Sequence, residues 1–375
     1  MALPMPPRGH GSPLADDVTI TDPIVGPAVA AEEPIPVRAP RLARHTVTLS
    51  DGHRIGLAVS GRGVPLVVVH GFTAEGFLYA QTLSRLVTKG FKVVAIDMAG
   101  HGGTQGLPTR GLDLAAYATL LGQAIDELGI RRALLAGHSM GGRVVAHLAA
   151  DRPERTIAVL LVDAIVGDPW DLAVQLNRIN PLFYGYMGAV LAADTVSTLP
   201  VFRDPIQAAK LLRLVTPTLI GHALQPWRLV GSMASIFRSS PSRGTLEDLA
   251  HHGVPTFVLH GDRDVAVPLC TGRSAAARTK GQLVTIEGGT HSWILKDPET
   301  FPAIVEELLD GALGRAVRQA LGLAGAESVE EIEELLFEPG APILAMTPDT
   351  ASAPGSTADA PRHRRPRYAW RITDG

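Results

Sequence analysis

Ala133-Leu134-Leu135-Ala136-Gly137-His138-Ser139-Met140-Gly141-Gly142 places a serine at the junction between an apolar, strand-like run and a helix-like run that continues through residues 144–150. Glycines stand two residues before and two residues after Ser139. A side chain at such a junction needs small neighbours, because the backbone there is strained and adjoining elements approach closely. The hydroxyl then points out of the turn, where a base and a substrate can reach it. The pattern is that of a nucleophile elbow with Ser139 at its tip. Alone, G-x-S-x-G is a weak signal, and its weight depends on partners elsewhere in the chain.

Upstream of the elbow lie two more continuous apolar runs, Leu66-Val67-Val68-Val69 and Val93-Val94-Ala95-Ile96, of the kind found in buried parallel strands. Helical periodicity covers residues 77–89 between them and 114–128 before the elbow. Downstream, residues 158–162 read as another strand. Strands that alternate with helices predict a parallel sheet with helices on both faces. Ahead of this series, residues 45–49 and 54–59 alternate around Asp51-Gly52 and read as a β-hairpin.

The alternation stops near Ala164. Residues 166–250 hold helical stretches and prolines but no strand-like run, and read as a helical cap over the carboxyl ends of the strands. It resumes with Thr256-Phe257-Val258-Leu259, a helix near 274–278, Leu283-Val284-Thr285-Ile286 and a last helix over 300–313. The core is therefore expected at 44–165 and 251–313. Residues 1–43 are rich in Pro and Ala and read as a disordered arm. In 314–338, Ser328-Val329-Glu330-Glu331 has the capping-box pattern, and Val329, Ile332, Leu335 and Leu336 form one apolar face. That helix is expected to dock on the body of the chain or on the second subunit of a homodimer. Residues 339–375 read as a disordered basic tail.

A serine nucleophile needs a base, and the base needs an orienting carboxylate. His260-Gly261-Asp262-Arg263-Asp264 and Gly288-Gly289-Thr290-His291-Ser292 each follow a strand-like run, so Asp264 and His291 are expected at the same sheet edge as Ser139. His70-Gly71-Phe72 ends another strand there. The backbone N–H groups of Phe72 and Met140 are the expected oxyanion donors. His70, His101 and His138 are expected to brace loops. The adjacent His251 and His252 lack a ligand pattern, so no metal is expected, and no cofactor is needed. Cys270 is expected to be a small buried residue.

Taken in order, His70-Gly71-Phe72, Asp97-Met98-Ala99-Gly100-His101-Gly102, the elbow and the paired Asp264 and His291 loops resemble the α/β-hydrolase superfamily over residues 44–313. The resemblance implies an α/β-hydrolase fold with a Ser139 nucleophile, a His291 base, an Asp264 acid and a cap at 166–250. Asp163, at the end of a strand, occupies a position that some relatives use for the acid, and Asp262 lies close by. An elbow serine disfavours the aspartate-dependent epoxide hydrolases and dehalogenases. Expected is a serine hydrolase acting on a small-molecule ester or thioester of a hydrophobic acid, with Trp170, Phe183, Tyr184, Tyr186, Phe202 and Trp227 as candidate pocket walls. Carbon–carbon bond hydrolysis, with Arg178, Arg203, Arg213 or Arg228 binding a carboxylate, and perhydrolase or haloperoxidase chemistry use the same fold. A non-catalytic scaffold is the reading from another class.

Bulk composition bounds the rest. Lys plus Arg number 34 against 37 Asp plus Glu, so no net field favours nucleic acid. A single cysteine leaves no internal disulfide framework. No apolar run approaches the roughly 20 residues of a membrane span and no signal peptide is evident, so a cytoplasmic location is expected.

Overall fold

The computed structural model describes residues 42–107, 113–180, scattered positions between 181 and 226, 227–322, 328–347 and 365–375. Of the arm read as disordered over residues 1–43, residues 1–41 lie outside the described residues, as do Phe183, Tyr184, Tyr186, Phe202, Arg203 and Arg213, whereas Leu42 and Ala43 are buried and Ala43 opens the first strand.

Five apolar runs become strands buried along their whole length: β3 (Val64–Val69), β4 (Phe91–Ile96), β5 (Ala133–His138), β6 (Thr156–Val162) and β7 (Thr256–Gly261). Burial on both faces is what removes the usual apolar–polar alternation from them. With β1 (Ala43–Thr48), β2 (Arg54–Ser60), β8 (Gln282–Ile286) and β9 (Trp370–Asp374) they form one sheet in the order β1-β2-β4-β3-β5-β6-β7-β8-β9. The stretch from β4 to β8 is parallel, while β1, β2 and β9 are antiparallel to their neighbours. The expected hairpin is present, with Gly52 at φ 86° in its turn.

Helices α1 (Ala80–Val87), α2 (Leu114–Glu127) and α3 (Met140–Asp151) link these strands. Asp113 caps α2 by accepting from the N–H groups of Ala115 and Ala116. The segment inserted between β6 and β7 contains α4 (Asp168–Ile179), α5 (Trp227–Arg238) and α6 (Arg243–His251). After β7 come α7 (Leu269–Thr279), α8 (Trp293–Lys296) and α9 (Thr300–Asp310). The single helix expected over 300–313 is broken at Gly311, where α10 (Ala312–Leu321) begins.

The carboxyl-terminal region departs most from expectation. Helix α11 (Val329–Leu336), capped by Ser328 Oγ accepting from Glu331 N, docks on its own chain through a 2.7 Å Arg62–Glu333 ion pair. Beyond it the chain was expected to be disordered, yet Pro342–Ala345 form α12 and Trp370–Asp374 form β9. Strand β9 pairs with β8 from Gln282↔Asp374 to Ile286↔Trp370. Trp370 and Ile372 pack against the core while Arg371, Thr373 and Asp374 face solvent. The energy that orders this strand comes from an open sheet edge, which local composition does not reveal. Cys270 is exposed, not buried, because it lies on the outer side of the first turn of α7.

Candidate active site

Ser139 sits between β5 and α3 with φ 53° and ψ −117°. Backbone in this region costs of order 1–3 kcal/mol for a residue with a Cβ. The surrounding glycines are required by close approach. A Cβ on Gly141 would collide with the carbonyl oxygens of Val69 and His70, and one on Gly137 with that of Gly141.

Three sequence-expected side chains converge there. His291 Nδ1 donates to Asp264 Oδ2 at 2.7 Å, which leaves Nε2 to accept from Ser139 Oγ at 3.0 Å. All three residues are buried. The other oxygen of Asp264 accepts from the N–H groups of Ala266 and Val267 at 2.9 and 2.8 Å, so the carboxylate is held at both ends. Burial pushes the Asp264 carboxyl up, but the His291 ring beside it outweighs this and holds it below the ordinary range. Burial likewise works against a charged His291. Asp264, Asp163 and Asp194 overcome that effect and raise the ring to about 9.

The His70-Gly71-Phe72 loop lies against the elbow, since a Cβ on Gly71 would stand 3.2 Å from the Cβ of Ser139. His70 Nδ1 donates to Gly71 O at 2.8 Å, and Nε2 accepts from Met98 N at 2.9 Å. Met140 is the first residue of α3, where a backbone N–H has no intrahelical acceptor. The N–H groups of Phe72 and Met140 therefore belong to segments that flank the serine.

Behind the triad lies a set of braces. Tyr79 donates its hydroxyl proton to His138 Nδ1 at 2.8 Å, and His138 Nε2 donates to the backbone oxygen of His291 at 2.9 Å. Burial and the adjacent His291 push His138 down to about 3, so it stays neutral. Asp163, which weighed as an alternative acid, does not meet His291. Its oxygens accept from Gly261 N at 2.9 Å and Trp293 Nε1 at 2.6 Å, joining the acid loop to the histidine loop. Asp262 is exposed and accepts from Gly288 N. Ligand atoms of Asp163, His260 and Asp264 lie within 4.8 Å of one another. Each carboxylate oxygen in that group already faces an N–H donor, so the group reads as a hydrogen-bonded brace.

Sequence reasoning missed several of these contributors. Tyr79 and Trp293 carry no motif. Asp194, in the inserted segment, lies 3.7 Å from Lys296, whose ammonium donates to Thr290 Oγ1 beside His291. Arg178, a candidate carboxylate binder, donates instead to the backbone oxygens of Phe237 and Ser239. Trp170 packs partly buried against the core. The side chains of Trp227 and Arg228 lie outside the described residues.

A largely parallel sheet, a strained serine at a strand–helix junction, and a Ser–His–Asp set carried after β5, β7 and β8 define an α/β hydrolase. Comparison with known proteins agrees. Residues 66–303 match the alpha/beta hydrolase family, and the chain belongs to that family. It is 33% identical over 262 residues to a Mycobacterium phage D29 protein assigned as a non-heme haloperoxidase, covering 69% of this chain and 92% of that one. A pimeloyl-[acyl-carrier protein] methyl ester esterase of Stenotrophomonas maltophilia is 27% identical, covering 68% and 96%. Among solved structures, an esterase from Rhodococcus sp. ECU1013 superposes with a TM-score of 0.56 at 22% identity, over 72% of this chain and 99% of that one. The protein is a hydrolase of the α/β fold. Among the described residues, no helix is long and apolar enough to cross a membrane.

Proposed function

We propose that the protein hydrolyses carboxylic esters or thioesters of a hydrophobic acid through an acyl-serine. One observation carries this reading: the unbroken hydrogen-bond line from Ser139 Oγ through the His291 ring to Asp264, built on an elbow backbone. The Ser139 oxygen attacks the carbonyl carbon while His291 Nε2 takes its proton. Asp264 holds the imidazole in the required tautomer and stabilises the imidazolium. The carbonyl oxygen, now an anion, is met by the N–H groups of Phe72 and Met140. His291 returns the proton to the departing alcohol or thiol. It then takes a proton from water, which attacks the acyl carbon and frees the acid and Ser139. The segment between β6 and β7 acts as the cap over this edge, and the position of Asp194 near Lys296 and His291 supports that role.

Haloperoxidase assignments among the relatives favour a second reading on the same intermediate. Hydrogen peroxide replaces water as the attacking group, and the product is a peracid, the oxidant for halide. The test is a panel of p-nitrophenyl esters of two to twelve carbons, run with and without peroxide, on the native protein and on Ser139→Ala. Hydrolysis that peaks at one chain length and falls about 10⁶-fold in Ser139→Ala is expected. Turnover retained in that variant contradicts the mechanism. Peracid formed faster than acid at equal water and ester favours the second reading.

A further inference from the structure

Arg143 lies four residues after Ser139 on α3, and its guanidinium is almost completely buried. An arginine is rarely buried unless its donors are satisfied. Here its two terminal nitrogens bond both ends of the cap, while Nε has no hydrogen-bond partner among the described residues. Nη1 donates to Asp171 Oδ1 at 3.1 Å and to Ile165 O at 3.4 Å, on the stretch where the chain leaves β6. Nη2 donates to Ser240 O, on the stretch where the chain returns. The two stretches are also tied to each other. Asp171 Oδ2 accepts from Ser242 N at 2.6 Å and from Ser242 Oγ at 2.8 Å, and Ser242 Oγ accepts from Gly167 N at 2.7 Å. Further out, Asp168 on α4 pairs with Arg243 on α6, and Arg178 on α4 holds the carbonyls of Phe237 and Ser239 at the end of α5.

We infer that Arg143 is a positioning residue that clasps both necks of the cap to the helix carrying the nucleophile at its N-terminus. Through that clasp it sets how far the cap stands from Ser139 and which acyl groups fit beneath. The geometry has two parts that local packing does not require. One side chain contacts the outgoing and the returning neck together, and it does so from the helix whose first turn frames the oxyanion site. A loosened clasp leaves Asp264 and His291 in place, because they are held by their own loops and not by the cap necks. It frees the pocket roof. Binding of a long acyl chain, which needs the roof, is lost; attack on a short ester, which does not, continues.

The inference rests on the ester-hydrolase reading for its substrates but not for its structural readout. Two variants test it. Arg143→Met with Asp171→Met removes both charges together, so that no buried charge is left unpaired. Ser242→Ala deletes one hydroxyl and keeps the ion pair. For each, hydrogen exchange of α4 and α5 is followed, with kcat and KM for p-nitrophenyl acetate and p-nitrophenyl decanoate and the rate of fluorophosphonate labelling at Ser139. The expected result is faster exchange in α4 and α5 and a KM for the decanoate raised about tenfold in the double variant, less in Ser242→Ala. The acetate constants and the labelling rate stay within about twofold, the pattern of lost binding without lost chemistry. Native exchange in α4 and α5 in the double variant overturns the inference. So does an equal fall for both esters, which would place Arg143 at the nucleophile itself. If the native protein labels at Ser139 but cleaves neither ester, the substrate reading fails, and the exchange data still decide the clasp.

Discussion

At His291 two opposing effects meet. Burial strips water from the ring and disfavours its cation, whereas Asp264, Asp163 and Asp194 favour it, and the charges prevail, raising the ring to about 9. His138 and His260 also face this cluster, but burial pushes both down and keeps them neutral, so neither opposes the acids. In the proposed mechanism His291 is the base and must be unprotonated, the form that appears as pH rises through its pKa. Consequently kcat/KM for a short ester should climb with pH, with a midpoint above the value of about 6.5 for a free imidazole. Asp163→Asn removes one of the acids, and the midpoint should then move down by about one pH unit. Burial and the charge of Asp264 push the Asp163 carboxyl well above the ordinary range, yet both its oxygens face N–H donors. A pH profile with an unmoved midpoint would mean that Asp163 is neutral beside His291. Ser139, Asp264 and His291 were each legible because each sits in a short motif at a strand end. The role of Asp163 was not. It depends on Trp293 and Gly261, 130 and 98 residues away in sequence, and nothing local ties them together.

At the scale of elements, the buried parallel strands announced themselves as unbroken Val, Leu and Ile runs, and the helices between them by their period. Strand β9 did not. Trp370 to Thr373 alternate, but the run is only five residues with Asp374 and follows a polar, Pro-rich stretch. What orders them is the row of backbone groups on β8 that would otherwise end the sheet. The segment leading into β9 is also fixed: Arg367 N donates to Asp297 Oδ2 at 2.8 Å, and Trp370 Nε1 donates to Glu307 Oε2 at 2.6 Å. Removing residues 366–375 uncovers β8 and gives up the contacts of Trp370 and Ile372, worth about 2–3 kcal/mol together. The melting temperature is expected to fall by about 5 °C, with aggregation on heating followed by light scattering. An unchanged melting curve would show that β9 adds nothing to the sheet. Ester turnover by the soluble fraction should persist, since β9 lies outside the triad.

Across the whole molecule, the chemistry follows from topology. The parallel order β3-β5-β6-β7-β8 directs the ends of β3, β5, β7 and β8 to one edge, so that residues far apart in sequence meet there without long loops. That convergence was legible, because it needs only strand order and motif position. The placement of α12 and β9 was not, since both take their places from surfaces that exist only after the sheet has formed. The segment inserted between β6 and β7 was visible as an interruption in the strand–helix alternation, but the bonds of Arg143 to both of its ends were not, because nothing local marks that arginine on α3. Activation of Ser139 is the point on which the chemistry stands. The deciding measurement is fluorophosphonate labelling of the native protein and of His291→Ala, with the modified peptide located by mass spectrometry. Stoichiometric labelling at Ser139, slowed at least about 100-fold in His291→Ala, is the expected result. Labelling at another residue, or equal rates in both proteins, would contradict a serine activated by His291.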